Sequence, residues 1–174
     1  TNRIGDEGQA WHYANVLLKT ERLSYAHIGS KKRDLAKLLD EAARLPARDG
    51  GPMDRDPAFR LAHARVEARL AAIEASILRA LRGDVSMATA AALKIACTEC
   101  AQAITELAID LAGRNRLPML DRGGPDWADA APATAPFGPV AVQSYLFERA
   151  QTIYGGSTEV QKNIIWRSLA GMAR

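Results

Sequence analysis

Between Ala58 and Leu81 the residues Val66, Leu70, Ile73, Ile77 and Leu81 step by four, three, four and four. Only an α-helix, with its period of about 3.6 residues, puts such a series on one face. A half-buried strand would need alternation of apolar and polar residues, and no stretch of this chain shows it. The helical period returns at Trp11, Ala14, Leu18, Tyr25, Ile28, Leu35, Leu38 and Leu39. It returns again at Leu93, Ala96, Cys97, Cys100, Ile104, Leu107 and Leu111.

Local punctuation sets the expected boundaries. Asp6 and Glu7 suit a helix N-terminus, so a first helix should run from there to about Ala43, with a bend at Gly29-Ser30. Trp11 would seal its start. The Pro/Gly-rich stretch Leu45–Pro57 should be a loop. A second helix, Ala58–Leu81, closes at Gly83-Asp84. Ser86 is placed to cap a third, which runs to about Ala112 with Gly113 as C-cap. Residues Arg114–Pro136 lose all apolar period and read as a long surface excursion. A fourth helix is expected over Val140–Ile153. After the Gly155-Gly156 break a fifth covers Thr158–Leu169, with Val160, Ile164, Ile165, Leu169 and Met172 facing inward. The fold class implied is all-α: an up-and-down four-helix bundle with a short additional C-terminal helix.

Bulk properties narrow the function classes. The chain of 174 residues suits one domain, 1–174. Its apolar residues are mostly Ala and Leu, and aromatics make up only 6%, which favours packed helices over a β-sandwich. A net charge of +3, dispersed along the helices, argues against nucleic acid as a partner. No apolar run approaches the roughly 18 residues a membrane span needs, and no secretory signal pattern opens the chain. A cytoplasmic setting is the default expectation. Cys97 and Cys100 fall on the apolar stripe of the third helix, and His12, His27 and His63 are scattered, so no metal site is expected. The opening Thr1-Asn2-Arg3, without an initiator Met, reads as part of a longer protein.

The stretch with most chemical content is Gln151–Met172, where Tyr154-Gly155-Gly156-Ser157-Thr158-Glu159 leads into the last helix. Paired glycines permit positive φ and close approach of the backbone to a ligand. A helix N-terminus adds N–H groups and partial positive charge. This segment resembles the last helix of the acyl-CoA dehydrogenases, flavoenzymes that desaturate acyl thioesters. Gly5–Ala26 resembles the first helix of that family's C-terminal domain. By the resemblance, Gly156 would meet the thioester end of an acyl-CoA substrate. Ser157, Thr158 and Glu159 would meet FAD, and electrons would pass on to an electron-transfer flavoprotein. Association into homo- or hetero-oligomers, dimers or tetramers, is implied as well.

Many members of that family carry a catalytic Glu directly after the Tyr of the turn, where this chain has Gly155. The isovaleryl-CoA and long-chain enzymes carry it instead in a Glu-Arg pair on the first helix. Glu21-Arg22 matches that placement, and Glu21 is therefore the expected base. Removing a proton next to a thioester carbonyl needs a carboxylate close to that carbon, with its pKa raised by burial, and donors to the carbonyl oxygen. Lys19, Thr20 and Arg22 flank the position where the family contacts substrate. A solvated Glu21 paired with Lys19 or Arg22 is the alternative.

Two family motifs are missing. No Arg-x-x-Phe-Gly follows the first helix, where Lys32-Arg33-Asp34-Leu35 stands. Ala108-Ile109-Asp110-Leu111-Ala112-Gly113 replaces the usual Gln-Ile-x-Gly-Gly. Two rival readings stay open: a non-catalytic or half-site subunit of a heteromeric dehydrogenase, and a flavin-dependent monooxygenase of the same fold.

Overall fold

A computed structural model describes residues 2–24, 26–83, 85–113 and 137–172; for 18–24 it describes the backbone alone. Six α-helices stand among these residues: α1 (Ala10–Ser24), α2 (Ile28–Arg44), α3 (Pro57–Ala80), α4 (Met87–Ala112), α5 (Gly138–Arg149) and α6 (Thr158–Leu169). Short 3-10 turns cover Met53–Arg55 and Ala150–Thr152. No strand forms among the described residues beyond one isolated bridge between Pro46 and Pro52. The all-α bundle expected from the sequence is thus observed. The expected excursion over 114–136 lies outside the described residues.

Helix α4 is the axis of the fold. Helices α1, α2, α3, α5 and α6 all rest against it. Its stripe of Leu93, Cys97, Cys100, Ile104, Leu107 and Leu111 is buried as the periodicity requires. Burial extends beyond that stripe, because Ala90, Ala91, Ala101, Ala108 and Ala112 let neighbours approach closely. Leu70, Ile73 and Ile77 of α3 and Leu35, Leu38 and Ala42 of α2 complete the core. Each large side chain sealed there contributes about 1.5–3 kcal/mol. Burial of the two cysteines raises both thiol pKa values, Cys97 to about 11, as for inert core thiols.

The caps follow the sequence. Asp56 accepts hydrogen bonds from the Ala58 and Phe59 N–H groups, both at 2.9 Å, and Pro57 begins α3. Ser86 Oγ accepts from the Thr89 N–H at 3.0 Å. Gly113 ends α4 with φ +54°.

Several expectations are corrected. The first long helix is two helices, and the break comes before Gly29-Ser30, which lie inside α2. His27, at φ 40° and ψ 44°, takes the left-handed conformation and starts a new helix direction. Buried Lys31 donates to the Ala26 carbonyl at 2.8 Å, satisfying an acceptor at the joint. Trp11 is 72% exposed and seals nothing among the described residues. Leu39 and Leu81, the last residues of their stripes, are exposed.

Candidate functional site

The residues around the double glycine are held by α4 from below. Arg149, the last residue of α5, forms an ion pair with Glu106 at 2.8 Å. It also donates to the Gln102 carbonyl and to Thr105 Oγ1, both at 3.3 Å. Its guanidinium lies 4.3 Å from the centre of the Tyr145 ring. Gln102 returns a bond from Nε2 to the Glu148 carbonyl at 3.1 Å. These contacts fix the end of α5 before the chain turns. The 3-10 turn Ala150–Thr152 follows, and the Tyr154 N–H donates back to the Ala150 carbonyl at 3.2 Å.

Gly155 and Gly156 both take positive φ, +67° and +92°, where side-chain-bearing residues are strained. Ser157 then caps α6: its Oγ accepts from the Val160 N–H at 3.4 Å, and its carbonyl accepts from the Gln161 N–H at 2.9 Å. Thr158 is the first helical residue. Glu159 is fully exposed, and its own backbone N–H and the Ser157 hydroxyl hold its carboxyl below the usual range. The sequence therefore places Gly156, Ser157, Thr158 and Glu159 together, on one turn at a helix N-terminus.

Two buried polar side chains brace this turn. Gln161 is 0% exposed, and its Nε2 lies 3.2 Å from both the Gly155 and the Gly156 carbonyl oxygens. Lys94 of α4, 7% exposed, donates from Nζ to the Gln151 carbonyl at 2.6 Å. The Gln151 side chain in turn donates to Glu148. Burial pushes the Glu148 carboxyl up, opposed by the nearby charges of Lys31 and Arg149. Neither Lys94 nor Gln161 stood out in the sequence. Gln161 interrupts an apolar series, and Lys94 is one charge on a helix of small residues. The only legible signal was that each lies on a helical face otherwise destined for burial.

The inward face expected of α6 is also corrected. Val160, Leu169 and Met172 are exposed, Leu169 at 79%, and Ile164 and Ile165 are half-buried. Gln161 alone of this helix is buried: the face that α6 lays on α4 is centred on it, and Val160 and Leu169 look outward.

Lys19, Thr20, Glu21 and Arg22 all fall within α1 by their backbone. Their side chains lie outside the described residues. Helices α1 and α6 share α4 as their support, so the two segments that carry the candidate site rest on one central helix.

Comparison with known proteins decides the family. The description "Acyl-CoA dehydrogenase, C-terminal domain" matches residues 8–170. The chain belongs to the acyl-CoA dehydrogenase family. It is 28% identical over 176 residues to acyl-CoA dehydrogenase IpdE1 of Mycobacterium tuberculosis, covering 98% of this chain and 40% of that protein. The ChsE4-ChsE5 complex from Mycobacterium tuberculosis contains a chain of the same fold. The TM-score is 0.77 at 23% identity, over 99% of this chain and 42% of the other. A Tcur3481-Tcur3483 steroid ACAD variant gives a TM-score of 0.70 at 22% identity, covering 98% of this chain and 42% of that one. This chain therefore spans about two fifths of the length of these relatives. Among its described residues no helix is long and apolar enough to cross a membrane.

Proposed function

We propose that residues 1–174 form the C-terminal helical domain of a cytoplasmic, FAD-dependent acyl-CoA dehydrogenase that converts an acyl-CoA to its 2,3-enoyl-CoA. The observation that carries the reading is the turn at Gly155-Gly156. Two consecutive positive-φ glycines stand at the N-terminus of α6, with their carbonyls drawn back onto buried Gln161. Backbone without Cβ atoms at that place suits close approach by a thioester or a flat ring system. Ser157 and Thr158 hydroxyls and the Glu159 carboxylate, on the same turn, are of the type that ribityl hydroxyls and a flavin edge require.

In this reading Glu21 takes the proton from the carbon next to the thioester carbonyl. The turn at Gly156 holds the thioester end and hydrogen-bonds its oxygen, so that negative charge gathering there is stabilised. Lys19, Thr20 and Arg22 line the acyl-CoA path on α1. When bound, FAD supplies the hydride acceptor for the β-carbon. Gly155 frees the usual base position, so the duty passes to α1. An electron-transfer flavoprotein is the proposed onward acceptor. The named relatives include a ChsE4-ChsE5 complex and a steroid ACAD, which supports an oligomer, homomeric or heteromeric, and a bulky acyl group as one substrate class to test.

One observation favours a flavin site shared with an unlike subunit. In the stretch that replaces the family's Gln-Ile-x-Gly-Gly, Ala108, Leu111 and Ala112 are buried in this chain's own packing.

The test is anaerobic flavin absorbance of the full-length protein during addition of straight-chain, branched and steroid-ring acyl-CoAs, wild type against Glu21→Gln. Bleaching in wild type that is lost in the variant, with flavin retained, is expected. Equal bleaching in both would remove Glu21 as the base. A protein that binds no flavin without a second polypeptide would favour the half-site reading.

A further inference from the structure

We propose that Gln161 and Lys94 are positioning residues that aim the Gly156 and Ser157 N–H groups at the ligand, an assignment that rests on the dehydrogenase reading for what the ligand is. A trans peptide unit points its C=O and N–H in opposite directions, and no cis bond occurs among the described residues. The Gly155 carbonyl shares a peptide plane with the Gly156 N–H, and the Gly156 carbonyl shares one with the Ser157 N–H. Gln161 Nε2 holds both carbonyls at 3.2 Å. Both N–H groups are thereby turned away from Gln161, and among the described residues neither has an acceptor. A single buried amide thus sets the direction of two donors.

The cost of this arrangement argues for geometry over stability. Gln161 Oε1 is buried and has no hydrogen-bond partner among the described residues. The reverse amide orientation would set Oε1 against two carbonyl oxygens, so Nε2 must face the turn. A buried acceptor left without a partner costs about 1–3 kcal/mol, a cost set against the two bonds that Nε2 makes. Lys94 holds the other end of the same segment through the Gln151 carbonyl, and its Cε lies 3.9 Å from the Cβ position of Gly155. The two side chains come from different helices and hold the turn at both ends, which opposes rotation about its glycines.

The test uses full-length protein, wild type, Gln161→Leu and Lys94→Met. Amide hydrogen exchange across residues 153–160 should rise about tenfold in each variant, the factor lost with a buried hydrogen bond. Exchange in α3 should stay unchanged. With the acyl-CoA that bleaches wild-type flavin fastest, the bleaching rate should fall at least about tenfold. Binding of the corresponding thioether analogue, which lacks the carbonyl oxygen, should not change. Unaltered exchange at the turn in both variants would overturn the inference. So would normal bleaching despite a loosened turn, or equal loss of thioether binding. A wild type that no acyl-CoA bleaches would instead overturn the dehydrogenase reading, and the exchange data would still decide whether these side chains hold the turn.

Discussion

Replacing Gly155 by Ala isolates the conformational cost of the turn. A Cβ built at this position meets only Lys94 Cε, at 3.9 Å, which is ordinary van der Waals contact. Packing is therefore neutral, and the penalty comes from φ +67°. An L-residue in the left-handed region costs about 1–2 kcal/mol. Against this, alanine restricts the unfolded chain and returns about 0.4–1 kcal/mol. The net expectation is a loss of about 1 kcal/mol, read as a lower urea midpoint at unchanged slope. Asparagine tolerates the left-handed region better, so Gly155→Asn should cost less than Gly155→Ala despite its greater bulk. An alanine variant as stable as wild type would refute the argument. So would asparagine proving the worse of the two, since that would make space rather than φ the governing term.

Two further outcomes follow from the caps and the buried acid. Asp56→Ala removes two hydrogen bonds of 2.9 Å at the start of α3, and should lower stability by about 1–2 kcal/mol in a denaturant titration. Glu148 has its folded pKa raised by burial, so the folded state binds the proton more tightly than the unfolded one. Stability should therefore fall as pH rises from the usual carboxylate range through the raised folded value, then level off. Glu148→Gln, which still offers Gln151 an acceptor, should flatten that part of a stability–pH curve; an unchanged slope would assign the dependence to other groups.

The core was legible because it follows simple periodicity. Leu93 to Leu111 and Leu70 to Ile77 were read correctly from spacing, and Ser86 and Gly113 from cap chemistry, whereas Asp56-Pro57, read as the end of a loop, caps and begins α3. The break at His27 was not, because Ala26-His27 carries no Gly or Pro and the visible Gly29-Ser30 sits two residues later. Periodicity misread α6 for a different reason. Val160, Leu169 and Met172 form an apolar series whose partner is not among the described residues, while the side chain that does turn inward is a glutamine. The turn itself was legible from its glycines. The groups that brace it were not, since Lys94 reaches Gln151 across 57 positions of sequence. No pattern within one helix can announce a contact made by another.

The joint at His27 also acts as a lever. Because α1 and α2 are separate rods, the axis of α1 is set by its contact with α4 together with the left-handed residue and the bond from Lys31 to the Ala26 carbonyl at the joint. Glu21 lies three positions before Ser24, the last residue of α1, roughly 4.5 Å along a helix rising about 1.5 Å per residue. A tilt of about 15° about that end would sweep its backbone through about 1.2 Å, comparable to the ~1 Å displacement that can cost a reaction about a hundredfold. On the proposed assignment, the accuracy of proton abstraction therefore depends on a joint that lies apart from the turn carrying Gly156.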